Sequence, residues 1–171
     1  MAILLNAVLF QVGWLLCVTQ PTWAPATAAV ALAVHFTLID RGLRDLPVVL
    51  ASLACGASLD ALLMRTGLID FGHGHAFPPF WMLGIWALFA TSLNHSLRWL
   101  QALGRWRAPI GAVAGPFAYW SGVALGEATW STAPWIALVV LSLTWSLILP
   151  ILSALAHRSA PIRATTRSTH R

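Results

Sequence analysis

One carboxylate lies inside an apolar stretch of the chain, where an unpaired charge is costly. Asp60 occurs within LPVVLASLACGASLDALLMR, which runs from Leu46 to Arg65. A carboxylate at the centre of a membrane helix costs about 2.5 to 3.5 kcal/mol on insertion scales, so Asp60 needs a partner or a role. It could bind a ligand, carry a proton or act as a general acid. It could equally be a buried strut that joins helices, and both interpretations stay open.

The partner of Asp60 is expected on another helix. Gly56 and Ala57 share its face at helical spacing, so this small face should pack against neighbouring helices. Counting along the segments places Tyr119 at a similar depth and Gln11 nearer the middle of the membrane. We therefore predict a polar cluster of Asp60, Tyr119 and Gln11, with Asp60 as the best catalytic candidate and Tyr119 as its partner.

A second polar group is predicted toward the other side of the membrane. Asn94 and Arg98 share one stripe of a helix, and Asn6 lies at a comparable depth. These three residues are candidate ligand contacts, and Arg98 suits a phosphate or a carboxylate. The favoured alternative is that Asn94 forms hydrogen bonds between helices while Arg98 marks the membrane interface.

Histidines suggest two further sites, which the sequence does not favour. His35 and His95 lie on different helices and would be the minimum for a bis-imidazole haem. The loop DFGHGH offers Asp70, His73 and His75, with Glu127 as an acidic neighbour, but a metal site needs further ligands and a second shell. We therefore expect neither metal nor cofactor. No HExxH, GxSxG, Walker or Rossmann pattern occurs either.

The composition requires that helices in a bilayer position these groups. Of the 171 residues, 58% are hydrophobic and only 9% are charged, and the mean hydropathy is +0.76. A soluble domain carries about a quarter charged residues. Apolar windows of about 20 residues fit the chain six times. They are expected at residues 3–18, 22–39, 46–66, 78–97, 110–125 and 134–155.

The basic residues predict how these segments are oriented. All ten are Arg, and if both termini are cytoplasmic, nine lie on that side and only Arg65 lies opposite. We therefore predict an all-α bundle of about six transmembrane helices, N-in and C-in, over residues 1–156. A basic, disordered cytoplasmic tail follows at residues 157–171. The net charge of +5 does not indicate nucleic-acid binding, because the Arg are spread over loop ends and the tail.

The fifth segment carries a stripe of glycines. They are spaced four, seven and four residues apart at Gly111, Gly115, Gly122 and Gly126. Small residues at such spacing let another backbone approach closely. The favoured interpretation is packing within the chain, and homodimerisation through the stripe is the alternative. Pro116 should kink this helix, which could also line a cavity.

Three blocks of the sequence resemble a known family. NAVLFQVGWLLCV, PFWMLGIWALFATSLNHSLRWL and GAVAGPFAYWSGVALG look like the signature blocks of the DUF2878 family of bacterial inner-membrane proteins, in the family's order. The matching residues are Asn6, Gln11, Trp14, Asp60, Trp86, Asn94, Ser96, Arg98, Trp99, Gly115, Pro116 and Tyr119. His73, His75 and His95 depart from the pattern, which argues against haem or metal as shared functions.

The resemblance implies a small multi-pass protein of the bacterial inner membrane, but it does not imply any particular reaction. Members are often encoded beside enzymes that modify membrane fatty acids, which suggests lipid-linked work. The leading hypothesis is therefore a lipid- or fatty-acid-handling accessory or enzyme subunit with a polar intramembrane pocket. Membrane lipids are the expected partners, together with a lipid-modifying enzyme or a second copy of the chain. The alternatives are a small proton-coupled carrier and a non-catalytic assembly factor, and whether the protein is an enzyme stays open.

Overall fold

Helices make up most of the chain in the computed structural model, which describes residues 1–72, 77–126 and 128–159. The structure is 81% helical, which confirms the predicted all-α class. Six α-helices occur within the described residues, and they are α1 (Ala2–Thr19), α2 (Ala24–Val34), α3 (Leu46–Arg65), α4 (Phe80–Ser92), α5 (Arg107–Leu125) and α6 (Pro134–Ser159).

Prolines mark where most of these helices begin. Pro25 and Pro47 lie in the first turns of α2 and α3, Pro79 precedes α4, and Pro134 opens α6. Proline is tolerated at these positions because the first N–H groups of a helix have no partner within that helix. The apolar runs and the prolines together therefore explain where the helices start.

The fourth segment differs most from its predicted bounds. The sequence predicts a helix to Leu97, but α4 ends at Ser92, and short 3₁₀ turns follow over Arg98–Trp106 that are interrupted at Gly104, where φ is +52°. The physical reason is local, because Ser92 and Thr91 bond carbonyls three residues back and a polar turn begins at once. At the other end of the chain α6 continues to Ser159. The rest of the predicted tail lies outside the described residues.

Among the described residues, four helical segments are long and apolar enough to cross a membrane. They are Ala2–Thr19, Pro21–Ile39, Leu46–Arg65 and Pro134–Ser159, the second of which joins α2 to a short 3₁₀ turn and a π-helical turn. Helix α4 is strongly apolar but has only 13 residues. It therefore spans about 20 Å of a hydrocarbon core that is about 30 Å thick. A helix this short is expected to be surrounded by other helices rather than by lipid.

Helix α4 is indeed the centre of the bundle. It packs against α1, α2 and α3, while α5 pairs extensively with α6. Helix α6 also contacts α3, whereas α1 and α5 touch only briefly. Two short strands, β1 (Ile69–Asp70) and β2 (Thr129–Trp130), pair antiparallel and tie the α3–α4 connection to the α5–α6 connection. The end of the bundle near these strands is called the Asp60 end below, and the opposite end the Asp45 end.

Two glycines allow a pair of tryptophans to stack in the interior. The rings of Trp86 on α4 and Trp145 on α6 lie 5.0 Å apart at an angle of 15°. A Cβ atom at Gly56 would overlap the ring of Trp86, and one at Gly115 would overlap the ring of Trp145. The two glycines therefore flank the stacked pair, and each lets a ring lie directly against helix backbone.

The glycines of the predicted stripe on α5 have different neighbours. Gly111 and Gly115 lie against Trp145 on α6, so this half of the stripe packs within the chain. Gly122 has open space where a side chain would be. Gly126 ends the helix and lies close to Val18 of α1. Gly111, Gly115 and Gly126 thus lie close to other helices, whereas a Cβ atom at Gly122 would meet nothing within 4 Å.

Candidate functional site

Asp60 is enclosed by three helices. It lies on the small face of α3 and has 0% exposure. The Tyr119 hydroxyl of α5 donates a hydrogen bond to its Oδ1 atom, and Trp86 Nε1 of α4 donates to Oδ2 over 2.8 Å. Each carboxylate oxygen therefore has one donor, and the predicted contact between Asp60 and Tyr119 is present.

The second donor, Trp86, was not predicted as a partner of Asp60. The sequence suggests only that this tryptophan packs between helices, because it lies deep within an apolar segment. Its position follows from Gly56, which lies four residues before Asp60 on the same face of α3. That missing side chain brings the indole close enough to donate to Asp60. A small residue one turn from a buried carboxylate, opposite a deep tryptophan, is the signal that could have found this contact.

An apolar cavity adjoins the Asp60 cluster. It has a volume of about 80 Å³ and lies between α1, α4 and α5. Phe71 and Ala128 border it near the strands. Most of its other lining residues are aromatic or aliphatic, and they are Phe10, Trp14, Val18, Trp81, Met82, Ile85, Trp86, Phe89, Ala118, Tyr119, Gly122, Val123 and Trp145. The two donors to Asp60 thus form part of its wall, while Asp60 stays behind them.

Gln11 does not join this cluster, so the predicted grouping of Gln11 with Asp60 is wrong. The side chain is exposed on the outside of α1, and Phe10, Trp14 and Val18 are the residues of that helix that line the cavity. Residues one position apart differ by about 100° around a helix. Depth along the segment was therefore a sound guide, but the rotation of α1 could not be read from it.

A second buried carboxylate organises the Asp45 end of the bundle. Asp45 immediately precedes α3, and its Oδ2 atom lies 2.9 Å from Nε2 of both His35 and His95. Asn94 Nδ2 donates to Oδ1 over 2.7 Å. Burial alone would raise the pKa of Asp45, but the hydrogen bonds from the two histidines and Asn94 hold it well below its usual range.

The histidine pair is not arranged as the haem hypothesis requires. A bis-imidazole haem needs two ring nitrogens on opposite faces of a porphyrin. Here the rings of His35 and His95 lie 5.1 Å apart, and both Nε2 atoms point at the same oxygen of Asp45. The rings are therefore in edge-to-face contact, and no porphyrin could lie between them. Asp45 was not among the predicted site residues, although an acidic residue beside two histidines at the same depth was a usable signal.

Asn6 links α1 to the end of α4. Its Nδ2 donates to the carbonyl of Thr91 over 3.1 Å, and its Oδ1 accepts from the Ser96 hydroxyl over 2.7 Å and from the Ser96 amide over 3.2 Å. The amide therefore satisfies both a free carbonyl and a free N–H group where α4 ends. Asn6 acts as an inter-helix clasp and lies at the Asp45 end, away from Asp60.

The predicted site residues thus fall into two groups at opposite ends of the bundle, as their depths along the segments suggest. Asp60 and Tyr119 belong to one group, while Asn6 and Asn94 belong to the other. Fifteen residues of α3 separate the two carboxylates, which corresponds to about 22 Å along a helix. Arg98 is exposed beyond the end of α4 and remains accessible to an anionic headgroup.

The outer-loop metal candidates lie mostly outside the described residues. His73, His75 and Glu127 are among the residues that the structure does not describe. Asp70 is described within β1, where its Oδ1 accepts a hydrogen bond of 2.8 Å from the Gly72 amide. This contact is a tight turn of the kind that aspartate commonly forms.

The helices and the buried polar groups together indicate a class of protein. Apolar helices of spanning length surround two separate polar clusters and an apolar cavity, as in a helical membrane protein with intramembrane polar sites. Residues 3–151 match the family described as protein of unknown function (DUF2878), so the chain belongs to that family. No curated protein sequence and no solved structure matches it.

Proposed function

We propose that the protein handles lipids or fatty acids in the bacterial inner membrane and binds an acyl chain in the cavity beside Asp60. The observation that carries this proposal is the cavity itself, which is apolar, aromatic and bounded by α1, α4 and α5. Its volume of about 80 Å³ exceeds the roughly 10 to 15 Å³ that one water molecule needs. An apolar lining offers water few hydrogen bonds, so a hydrocarbon segment is the better occupant.

The bundle offers a lateral route to the cavity from the hydrocarbon core. Helices α1 and α5 touch only briefly, and the cavity lies between them. Phe10 and Trp14 on α1, with Ala118 and Val123 on α5, are half-buried rather than enclosed. An acyl chain could enter between these helices without leaving the apolar phase, so its transfer would require no desolvation of charged groups.

Asp60 would act on the bound chain through its partners. Trp86 and Tyr119 line the cavity and are both oriented by hydrogen bonds to Asp60. We assign Asp60 a positioning role and the Tyr119 hydroxyl a place at the cavity wall. If the protein is an enzyme subunit, Asp60 is the titratable group and Tyr119 its hydrogen-bond partner. If it is an accessory, the same pair shapes the binding site.

The proposed topology has six helices crossing the membrane, with both termini in the cytoplasm. The positive-inside rule supports it, because the Asp45 end carries exposed Arg41, Arg44, Arg98 and Arg105. The expected partners are membrane lipids, a lipid-modifying enzyme or a second copy of the chain. Arg98 would contact a phosphate or carboxylate headgroup at that surface.

A cavity-filling variant tests the proposal. Gly122 lines the cavity and has open space where a side chain would extend, so Gly122→Leu should fold and fill part of the cavity. Ala124→Leu is the matched control, because Ala124 is exposed on the outside of the same helix. We expect native mass spectrometry of the purified protein to show retained acyl lipid in the wild type and the control, and at least a tenfold loss in Gly122→Leu.

Cells supply the second arm of this experiment. A deletion strain should show a missing or accumulating acyl species by lipidomics. The change should be reversed by wild type and by Ala124→Leu, but not by Gly122→Leu. An unaltered lipid profile, together with equal lipid retention by both variants, would contradict the proposal.

A further inference from the structure

The cluster at the Asp45 end has the composition of a metal site. We propose that His35, Asp45 and His95 bind a divalent transition-metal ion. This inference goes beyond the proposed acyl binding and does not depend on it, because the two sites lie at opposite ends of α3. Two imidazoles and a carboxylate form a ligand set that suits zinc or non-haem iron.

The ligand atoms are already close together. Both Nε2 atoms lie 2.9 Å from Asp45 Oδ2, and the three ligand atoms lie within 4.8 Å of one another. Ligands bound at 2.0 to 2.1 Å and separated by a right angle at the metal are about 2.9 Å apart. An ion could therefore take the place of the hydrogen bonds after small side-chain shifts.

Neighbouring groups hold the carboxylate in place. Asn94 donates to Oδ1 of Asp45, which leaves Oδ2 toward the histidines, and Gln101 Nε2 in turn donates to Asn94 Oδ1 over 2.9 Å. The backbone amide of Asp45 donates to Asp40 Oδ2 over 2.8 Å. Outer partners of this kind orient metal ligands in known sites. Asp40 thus holds the backbone of Asp45 in the turn before α3.

The two histidines differ in exposure, so a metal ion could reach the site from the side of His95. His35 is buried, whereas the His95 side chain is 21% exposed. Nδ1 of His35 has no hydrogen-bond partner in the part of the chain that the structure describes. Asp45 Oδ2 can only accept from Nε2, so the proton of the neutral ring would shift to the unpartnered Nδ1 when an ion replaces that contact, which leaves Nε2 as the ligand. Water would enter beside His95 and complete the coordination.

Cobalt titration tests the site directly. The full chain, purified in detergent with a tag that contains no histidine, is treated with EDTA and titrated with Co²⁺ while its visible absorption is recorded. We expect saturation at one Co²⁺ per chain and displacement by Zn²⁺. His95→Gln should weaken binding by at least about tenfold, because it removes one ligand at a partly exposed position where folding is least disturbed.

Two control variants address three of the four other histidines. His157→Gln removes a histidine at the same end that contacts Gln101 rather than Asp45. The double variant His73→Gln/His75→Gln removes the rival pair of the loop. Both should bind Co²⁺ like the wild type. Failure of the wild type to saturate at one equivalent, equal binding by His95→Gln, or loss of binding in the loop variant would each overturn the proposal.

Discussion

The two buried aspartates of α3 and its preceding turn are placed in contrasting surroundings. Asp60 is held by neutral donors, an indole and a phenol, and it lies behind the wall of an apolar cavity. Asp45 is held by two imidazoles and an amide near the end of the bundle. Asp60 therefore joins helices through neutral donors, whereas Asp45 contacts imidazoles, which are groups that can bind protons or metals. The partners decide the chemistry, because a carboxylate by itself only accepts hydrogen bonds or releases a proton.

Removing the acceptor at Asp60 should have the largest effect. Asp60→Leu leaves the N–H group of Trp86 and the hydroxyl of Tyr119 buried without a partner, at about 1 to 3 kcal/mol each. Asp60→Asn keeps an acceptor for one donor, and its amide can donate to the Tyr119 oxygen, so a smaller loss is expected. Thermal unfolding of the purified protein in detergent measures both. Equal stability of the two variants would show that these hydrogen bonds contribute little.

The same pair of variants separates a strut from a titrating group. If Asp60 only positions its neighbours, Asp60→Asn should still bind most of the acyl lipid seen in the wild type and should still complement the deletion strain. A carrier that uses protonation of Asp60, or an enzyme that uses it as an acid, should lose activity in a folded Asp60→Asn protein. Retained activity in this variant would rule out the catalytic and the proton-coupled alternatives together.

Asp45→Asn should produce the next largest effect, and its size should depend on pH. Hydrogen bonds to a charged group contribute about 1.5 to 3 kcal/mol. The pKa of Asp45 is lower in the folded protein than its unfolded value near 3.9. Its contribution should therefore be complete above about pH 5 and be lost as the pH falls below about 4. Unfolding of metal-free wild type and variant across this range measures it, and a difference that grows with acidification would contradict the sign.

Crowding the stacked tryptophans should come third. Gly115→Ala places a methyl group against the ring of Trp145, and overpacking of this kind costs about 1 to 3 kcal/mol. Gly122→Ala, on the same helix with open space around it, should be neutral or slightly stabilising because alanine favours helix more than glycine does. Unfolding midpoints compare the two, and size-exclusion chromatography shows whether either variant changes the oligomeric state. Equal stability would argue against close packing of α5 on α6.

Gln11 should give the smallest effect. Its side chain is exposed, so Gln11→Ala should change stability by about 0.5 kcal/mol or less. The variant should also retain acyl lipid like the wild type in native mass spectrometry. A large loss of lipid would mean that the outer surface of α1 takes part in lipid recognition. The Asp60 and Asp45 clusters would then not account for all the polar contacts that matter.

Much of the fold follows from the sequence because apolar length and prolines are local signals. The starts of α3 and α6 were predicted to the residue at Leu46 and Pro134. The end of α4 was missed because Thr91 and Ser92 stop that helix through their own hydrogen bonds. At the candidate site, the pairing of Asp60 with Tyr119 could be inferred from depth along two helices. Its second donor depends on how closely α4 approaches Gly56, and no periodic pattern reports that distance.

By itself, the sequence determined that the chain is helical and apolar and that Asp60 needs a partner from another helix, because the cost of a buried charge applies in any arrangement. Only the tertiary structure decided which residues meet. Helix rotation turned Gln11 outward and Phe10 inward, and the turn before α3 brought Asp45 between two histidines that are 60 positions apart in the chain. These outcomes depend on rotation and packing of whole helices, which are set by contacts distant in the sequence.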